Sequence, residues 1–180
     1  DMLDVNMGVP LTDEPALLAK AIKLVQSLTD LPICIDSSVI EALDAGLAAY
    51  EGKALINSMT GEDERMDAIL PLVKKYDAAI LALPVRRVEK EGIPLENLLI
   101  DPLAMPVGAE PEAVKQTLET IYRVREKYGL NMSIGASNVS FGLPNRHALN
   151  ASFMPMAMAM GLTSAIMDGR TKEVVQSVRG

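Results

Sequence analysis

The chain has 180 residues, of which 49% are apolar and 23% charged, and its formal net charge is −7. Such a composition excludes a disordered, collagenous or disulfide-stapled chain, and the acidic balance argues against nucleic acid or an anionic membrane as the main partner. One cysteine, Cys34, permits no internal disulfide and fits a reducing cytoplasm, while one histidine, His147, leaves no His-rich metal site within a single chain.

The longest apolar stretch, residues 153–162, is too short to span a bilayer and contains Pro155. Asp1 and Asp4 stand where a signal peptide would carry basic residues, so neither leader nor membrane anchor is expected. The length suits one domain over residues 1–180.

In chain order, β-prone apolar runs alternate with segments of helical period. The runs are residues 2–6, 32–36, 54–58, 78–83, 98–101, 132–137 and 164–168. They are continuous rather than alternating, as expected of parallel strands covered on both faces. Between the first two, Leu18, Ile22 and Val25 repeat at helical spacing over residues 14–29, behind a start signal of Thr12, Asp13 and Pro15. Ser38 and Glu41 have the spacing of a capping box. Met66, Ile69, Leu70 and Val73 line a third helix, in which Pro71 predicts a kink or break.

Between the fourth and fifth strands, residues 85–91 leave room for about two helical turns. Residues 112–128 form another amphipathic helix that Gly129 should stop. Residues 145–161 are apolar nearly all round, which predicts a buried helix with Met154, Met156, Met158 and Met160 as core filler. Lys74-Lys75 and Arg86-Arg87 read as solvated helix faces.

Strict β-α alternation implies a parallel sheet with right-handed crossovers, either closed as a (β/α)8 barrel or open and doubly wound. No Gly-x-Gly-x-x-Gly follows the first strand and no Gly-x-x-x-x-Gly-Lys occurs, so the barrel is preferred.

Polar residues close the strands: Asp4 and Asn6, Asp36-Ser37, Asn57-Ser58, Asp101, Ser137-Asn138 and Asp168. On a barrel they would share the C-terminal rim, where catalytic groups sit. Any one of them could instead cap a helix or set a turn. That reading suits Ser37, Ser58 and Ser137, stands level with the functional one for Asp168, and is weaker for Asp36, Asn57, Asp101 and Asn138 together.

No strand ends in Lys or His, so Schiff-base and Ser-His-Asp chemistry lack their central groups. Amides and carboxylates remain. They suit a ligand rich in N–H donors, or a Mg²⁺ ion; the interleaving of Asn with Asp favours the first. Cys34 reads as a small buried hydrophobe and His147 as a surface or capping residue. Asn145-Arg146 either caps a helix or meets a ligand tail or a partner.

Five of these motifs, Leu3-Asp4-Val5-Asn6-Met7-Gly8, Cys34-Ile35-Asp36-Ser37, Leu55-Ile56-Asn57-Ser58, Leu99-Ile100-Asp101-Pro102-Leu103 and Ser137-Asn138-Val139-Ser140-Phe141-Gly142-Leu143-Pro144-Asn145-Arg146, resemble the pterin-binding methyltransferase family. That family includes methyltetrahydrofolate:corrinoid methyltransferases and the folate domain of methionine synthase, with dihydropteroate synthase more distant.

The resemblance implies an α/β (β/α)8 TIM barrel holding tetrahydrofolate by its pterin ring. Asp36, Asn57 and Asp101 would bind the pterin, Asp4 and Asn6 would lie nearby, and Asn138 would approach N5. A methyl would pass between N5 and the cobalt of a corrinoid (cobalamin) on a partner protein, with methylcorrinoid to tetrahydrofolate the slightly favoured direction. A cytoplasmic homodimer without bound metal, nucleic-acid partner or membrane partner is implied as well.

Seven strands match a partial barrel that begins at the family's second strand, about three-quarters of a roughly 250-residue fold. The alternatives are a Mg²⁺-dependent lyase or aldolase using Asp36 and Asp101, and a truncated barrel that binds folate or a partner protein without turnover.

Overall fold

The computed structural model describes residues 1–59, 62–83, 85–110 and 112–179, and for Ser58 and Met59 the backbone alone. The role expected of the Ser58 side chain, and the start of the crossover after the fourth strand at Pro84, therefore lie outside what is described. Two compact units divide the chain, residues 1–99 and 100–180.

The first unit alternates β1 (Leu3–Asn6), α1 (Glu14–Leu28), β2 (Ile33–Asp36), α2 (Ile40–Ala49), β3 (Leu55–Met59), α3 (Asp63–Tyr76), β4 (Ala79–Ala82) and α4 (Val85–Lys90). A 3-10 turn, Leu95–Asn97, leads into β5 (Leu98–Ile100), and the strands lie in sequence order. The pairings of β1 with β2, β2 with β3 and β3 with β4 are parallel.

Ile33, Ile35 and Ile56 are wholly buried, as are Leu18 and Ile22 on α1 and Leu43 on α2. Alternate residues of a strand face opposite ways, so this isoleucine face leaves positions 4, 6, 34, 36, 55 and 57 on the other. A Cβ on Gly46 would stand 3.1 Å from Ile35 and 3.3 Å from Leu18, so α2 reaches its neighbours only because that position lacks a side chain.

Local signals met different fates. Asp13 caps α1, its Oδ1 accepting from the N–H of Ala16 at 3.2 Å. The capping box at Ser38 is not formed: Val39 is the N-cap of α2 and makes no side-chain cap bond. Ser37 takes over, its Oγ accepting from the N–H of Val39 at 2.9 Å and donating to the Glu14 carboxylate. Buried beneath α1, that hydroxyl reaches both partners where Ser38, exposed, does not.

Helix α3 runs unbroken through Pro71. Burying Met66, Ile69, Leu70 and Val73 stabilises it by about 1.5–3 kcal/mol each, against roughly 3 kcal/mol for an interior proline. The short α4 bears out the compressed crossover. Arg87 is half-buried and pairs with Asp67 and Glu91, so it is not the freely solvated residue expected, whereas Arg86 is exposed.

The second unit carries α5 (Ala113–Tyr128), β6 (Ser133–Gly135), α6 (Arg146–Ala159), β7 (Ser164–Ile166) and α7 (Lys172–Arg179). β6 and β7 pair in parallel, and Ile100 bridges to Met132. Gly129 ends α5 at φ +62°, a conformation costly to other residues, and its N–H closes on the carbonyl of Arg125.

Helix α6 departs from expectation. It buries one stripe, Asn150, Phe153, Met154 and Ala157, and leaves Met156 and Met158 exposed. Helix α6 packs against α7 and α5, and a helix packed from one side has only one stripe to bury, however apolar the rest of its surface is. Among the described residues no helix is long and apolar enough to cross a membrane.

Candidate functional site

Parallel register places Asn6 beside Asp36 and Asp36 beside Asn57. Strands lie about 4.8 Å apart, so three polar side chains stand in a row on the face opposite the isoleucines. Asp4 shares that face, and its Oδ1 accepts from Asn57 Nδ2 at 3.2 Å. Asn6 turns its Oδ1 to the N–H of Gly8 at 2.8 Å, which leaves its amide N–H for the Asp36 carboxylate. Burial raises the pKa of Asp36, and the carboxylates of Asp4 and Glu14 raise it further against the bond from Asn6.

The row is thus acceptor-rich and short of positive charge, the condition for gripping a ligand that brings its own N–H donors. Beneath it Cys34 is buried, and burial, with Asp4 and Asp36 beside it, pushes its thiol well up, so it behaves as a core side chain.

Four of the six predicted residues are therefore brought together in the first unit. The other two belong to the second. Asp101 follows β5, half-buried, and its Oδ1 accepts from the N–H of Leu103 at 2.8 Å. That bond holds Leu103 at φ +57°, a strained value for leucine. Burial raises the pKa of Asp101 above its ordinary range.

An aspartate whose folded-state pKa is raised destabilises the fold wherever it is ionised. Asp101→Asn keeps the acceptor and removes the charge, so it should raise Tm by a few degrees at neutral pH. The gain should shrink as pH falls through the raised value and vanish below about pH 4, the ordinary aspartate range. Thermal melts of both proteins from pH 3 to pH 8 check this, and a Tm difference that does not change with pH would contradict it.

Asn138 lies in the turn after β6, exposed, with its N–H on the carbonyl of Gly135 at 3.1 Å and its carbonyl accepting from Phe141 at 3.1 Å. The loops carrying Asp101 and Asn138 are joined by the bond from Val107 N–H to the carbonyl of Val139 at 3.0 Å. Arg146, at the start of α6, donates through Nη2 to the carbonyl of Ser137 at 2.8 Å and through Nε to Ser140 Oγ at 3.2 Å, with its guanidinium over the Phe141 ring. Asn145 occupies the N-cap position of α6 but makes no side-chain cap bond.

Asp168 turns back on Arg170, whose backbone and guanidinium bonds hold its pKa down at about 2, so its role is local. Sequence reasoning passed over Gly135 and Asn150. The signal for Asn150 was a polar residue within a helix that is otherwise apolar nearly all round. Among the described residues no group of three or more His, Cys, Asp or Glu could hold a metal ion.

Residues 1–86 and 81–168 match the family described as pterin binding enzyme. The chain is similar to the methylcorrinoid:tetrahydrofolate methyltransferase of Eubacterium limosum, 28% identical over a 199-residue alignment that covers 98% of this chain and 73% of that protein. It is 32% identical to the methionine synthase of Mycobacterium leprae (strain TN) over 78% of this chain, and spans only 14% of that much longer protein.

Among solved structures, the dihydropteroate synthase from Xanthomonas albilineans in complex with 7,8-dihydropteroate aligns with a TM-score of 0.72 at 20% identity, over 99% of this chain and 79% of that one. The synthase from Stenotrophomonas maltophilia with active site-bound imidazole aligns with a TM-score of 0.73 at 18% identity, over 99% of this chain and 79% of that one. At these identities the likeness shows the fold alone, and it bears out the expected α/β fold of the (β/α)8 barrel class.

Proposed function

This chain belongs to the pterin binding enzyme family, and from that premise we propose that it transfers a methyl group between a corrinoid and N5 of tetrahydrofolate. The observation that carries the proposal is the in-register row Asn6–Asp36–Asn57, an acceptor-rich edge suited to a planar ring that presents several N–H groups. Asp36, Asn57 and Asp101 hold the pterin, with Asp4 and Asn6 fixing the row, and residues 1–180 serve as one pterin-binding domain.

In the direction named for the Eubacterium relative, a methylcorrinoid would be the substrate that supplies the methyl and keeps the electron pair of the bond it gives up, and N5 would take the methyl and lose its proton to solvent. Asn138 is the catalytic residue. Its amide oxygen accepts from N5–H, and that bond strengthens as positive charge develops at N5. The chain supplies no cobalt ligand in this scheme; the corrinoid comes on a separate protein. A homodimer in the cytoplasm completes the proposal, supported by the exposed Leu24 and Leu28 of α1 and by a single, free cysteine.

Isothermal titration with tetrahydrofolate, then spectral conversion of methylcobalamin in its presence, tests the function. Saturable binding and folate-dependent loss of the methylcobalamin spectrum are expected. No binding at millimolar folate would overturn the proposal.

A second test uses Gly135. A Cβ there would stand 3.0 Å from Asn138 Nδ2 and 3.2 Å from its Cγ, so Gly135→Ala displaces a side chain that can move without unfolding anything. Turnover should fall about tenfold or more at unchanged Tm, because small displacements of a reacting group are costly. Steady-state rates alongside thermal melts decide it.

A further inference from the structure

Asn138 is exposed, yet the turn around it stands on a buried polar base. Ser140 is wholly buried and Asn150 nearly so. With its amide nitrogen turned toward the loop, Asn150 shares its two N–H groups among Ser140 Oγ at 2.7 Å and the carbonyls of Ala136 and Arg146, both at 3.2 Å. Ser140 Oγ donates in turn to the carbonyl of Ser137 at 3.2 Å.

These bonds grip the chain on both sides of residue 138, at 136–137 and at 140. Arg146 reinforces the same two points from the solvent side, but its exposed guanidinium can be replaced by water. Asn150 cannot be replaced so easily at Ala136, a buried residue whose carbonyl has no donor from Arg146. Asn150 also belongs to the buried stripe of α6 beside Phe153 and Met154, so the loop is referred to the rigid part of the unit.

We propose that Asn150 is the positioning residue for Asn138: from the buried face of α6 it locks the turn at 136–140 so that the exposed amide is held ready for N5. The proposal rests on the catalytic role assigned to Asn138 above. Asn150 itself touches no substrate.

Two variants and two readouts test it. Asn150→Leu keeps the volume and donates nothing, while Asn150→Ser retains one donor. The first readout is amide hydrogen exchange at Asn138, Phe141 and Leu143, whose N–H groups close the turn onto Gly135, Asn138 and Ser140. In Asn150→Leu these three should exchange about tenfold faster or more, with Ile121 of α5 unchanged, and Asn150→Ser should fall between.

The second readout is turnover at saturating folate, which should drop about 10–100-fold while the dissociation constant of tetrahydrofolate moves less than about threefold. Unchanged exchange at the three amides, acceleration shared equally by Ile121, or turnover within twofold of the parent overturns the proposal. If the parent itself transfers no methyl, the functional proposal fails, and hydrogen exchange alone still decides whether Asn150 holds the turn.

Discussion

Asn138→Ala should lower the turnover of bound folate about 10²–10³-fold, the usual cost of removing one preorganised hydrogen-bonding group from a reacting centre. Its effect on folate affinity should be small, under about threefold, because the bond from N5–H to the amide is weak while N5 is neutral and strengthens only as charge develops. The turn does not depend on the Asn138 side chain: the N–H of Asn138 bonds Gly135 and its carbonyl accepts from Phe141, so truncating that side chain leaves the loop in place. Single-turnover rates at saturating tetrahydrofolate, set beside titration calorimetry, separate the two quantities. An alanine variant that binds folate poorly but turns over normally once saturated would make Asn138 a binding residue and remove it from the chemistry.

Asp36→Ala should have the opposite signature, weakening tetrahydrofolate binding by roughly 10–150-fold with a smaller effect on the rate from the bound state. A hydrogen bond to a charged group contributes about 1.5–3 kcal/mol, and each 1.4 kcal/mol is about tenfold in affinity. Asp36 is the centre of its row, with Asn6 on one side and Asn57 on the other in register.

The sign of the pH dependence follows from its surroundings. Burial, then the Asp4 and Glu14 carboxylates, raise its pKa, so it protonates at a higher pH than an ordinary aspartate. A protonated carboxyl has lost part of its capacity to accept, and the parent's folate affinity should fall as pH drops through that raised value. Asp36→Asn, which cannot titrate, should bind weakly and without this pH dependence. Calorimetric titrations between pH 4 and pH 8 check both statements, and a parent whose affinity stays flat across that range would show that Asp36 does not meet the ligand as a carboxylate.

Some of the site was readable before any fold was known because its signal is local. An apolar strand that ends in Asp or Asn is conspicuous at Asp36 and Asn57, and the start signal at Asp13 and the stop at Gly129 depend only on adjacent backbone. Other features depended on neighbours far away in the chain. Ser38 and Glu41 had the right spacing for a capping box, yet Ser37 makes the local bond because Glu14, from α1, lies beside it. Asp168 looked like one more polar strand end, but its carboxylate is taken by Arg170. Asn150 drew no notice in a methionine-rich helix, since nothing in its own segment shows which stripe of that helix is buried.

From sequence alone came the alternation of strand and helix, the parallel class of sheet and the identity of the polar residues that finish the strands. Each of these follows from periodicity and from the chemistry of single side chains. The tertiary structure decided the register that puts Asn6, Asp36 and Asn57 in one row, the one-sided burial of α6, and the bonds by which Asn150 and Arg146 grip the turn at Asn138. Register, burial and buried hydrogen bonding are properties of pairs distant in the chain, and only packing determines which pairs meet.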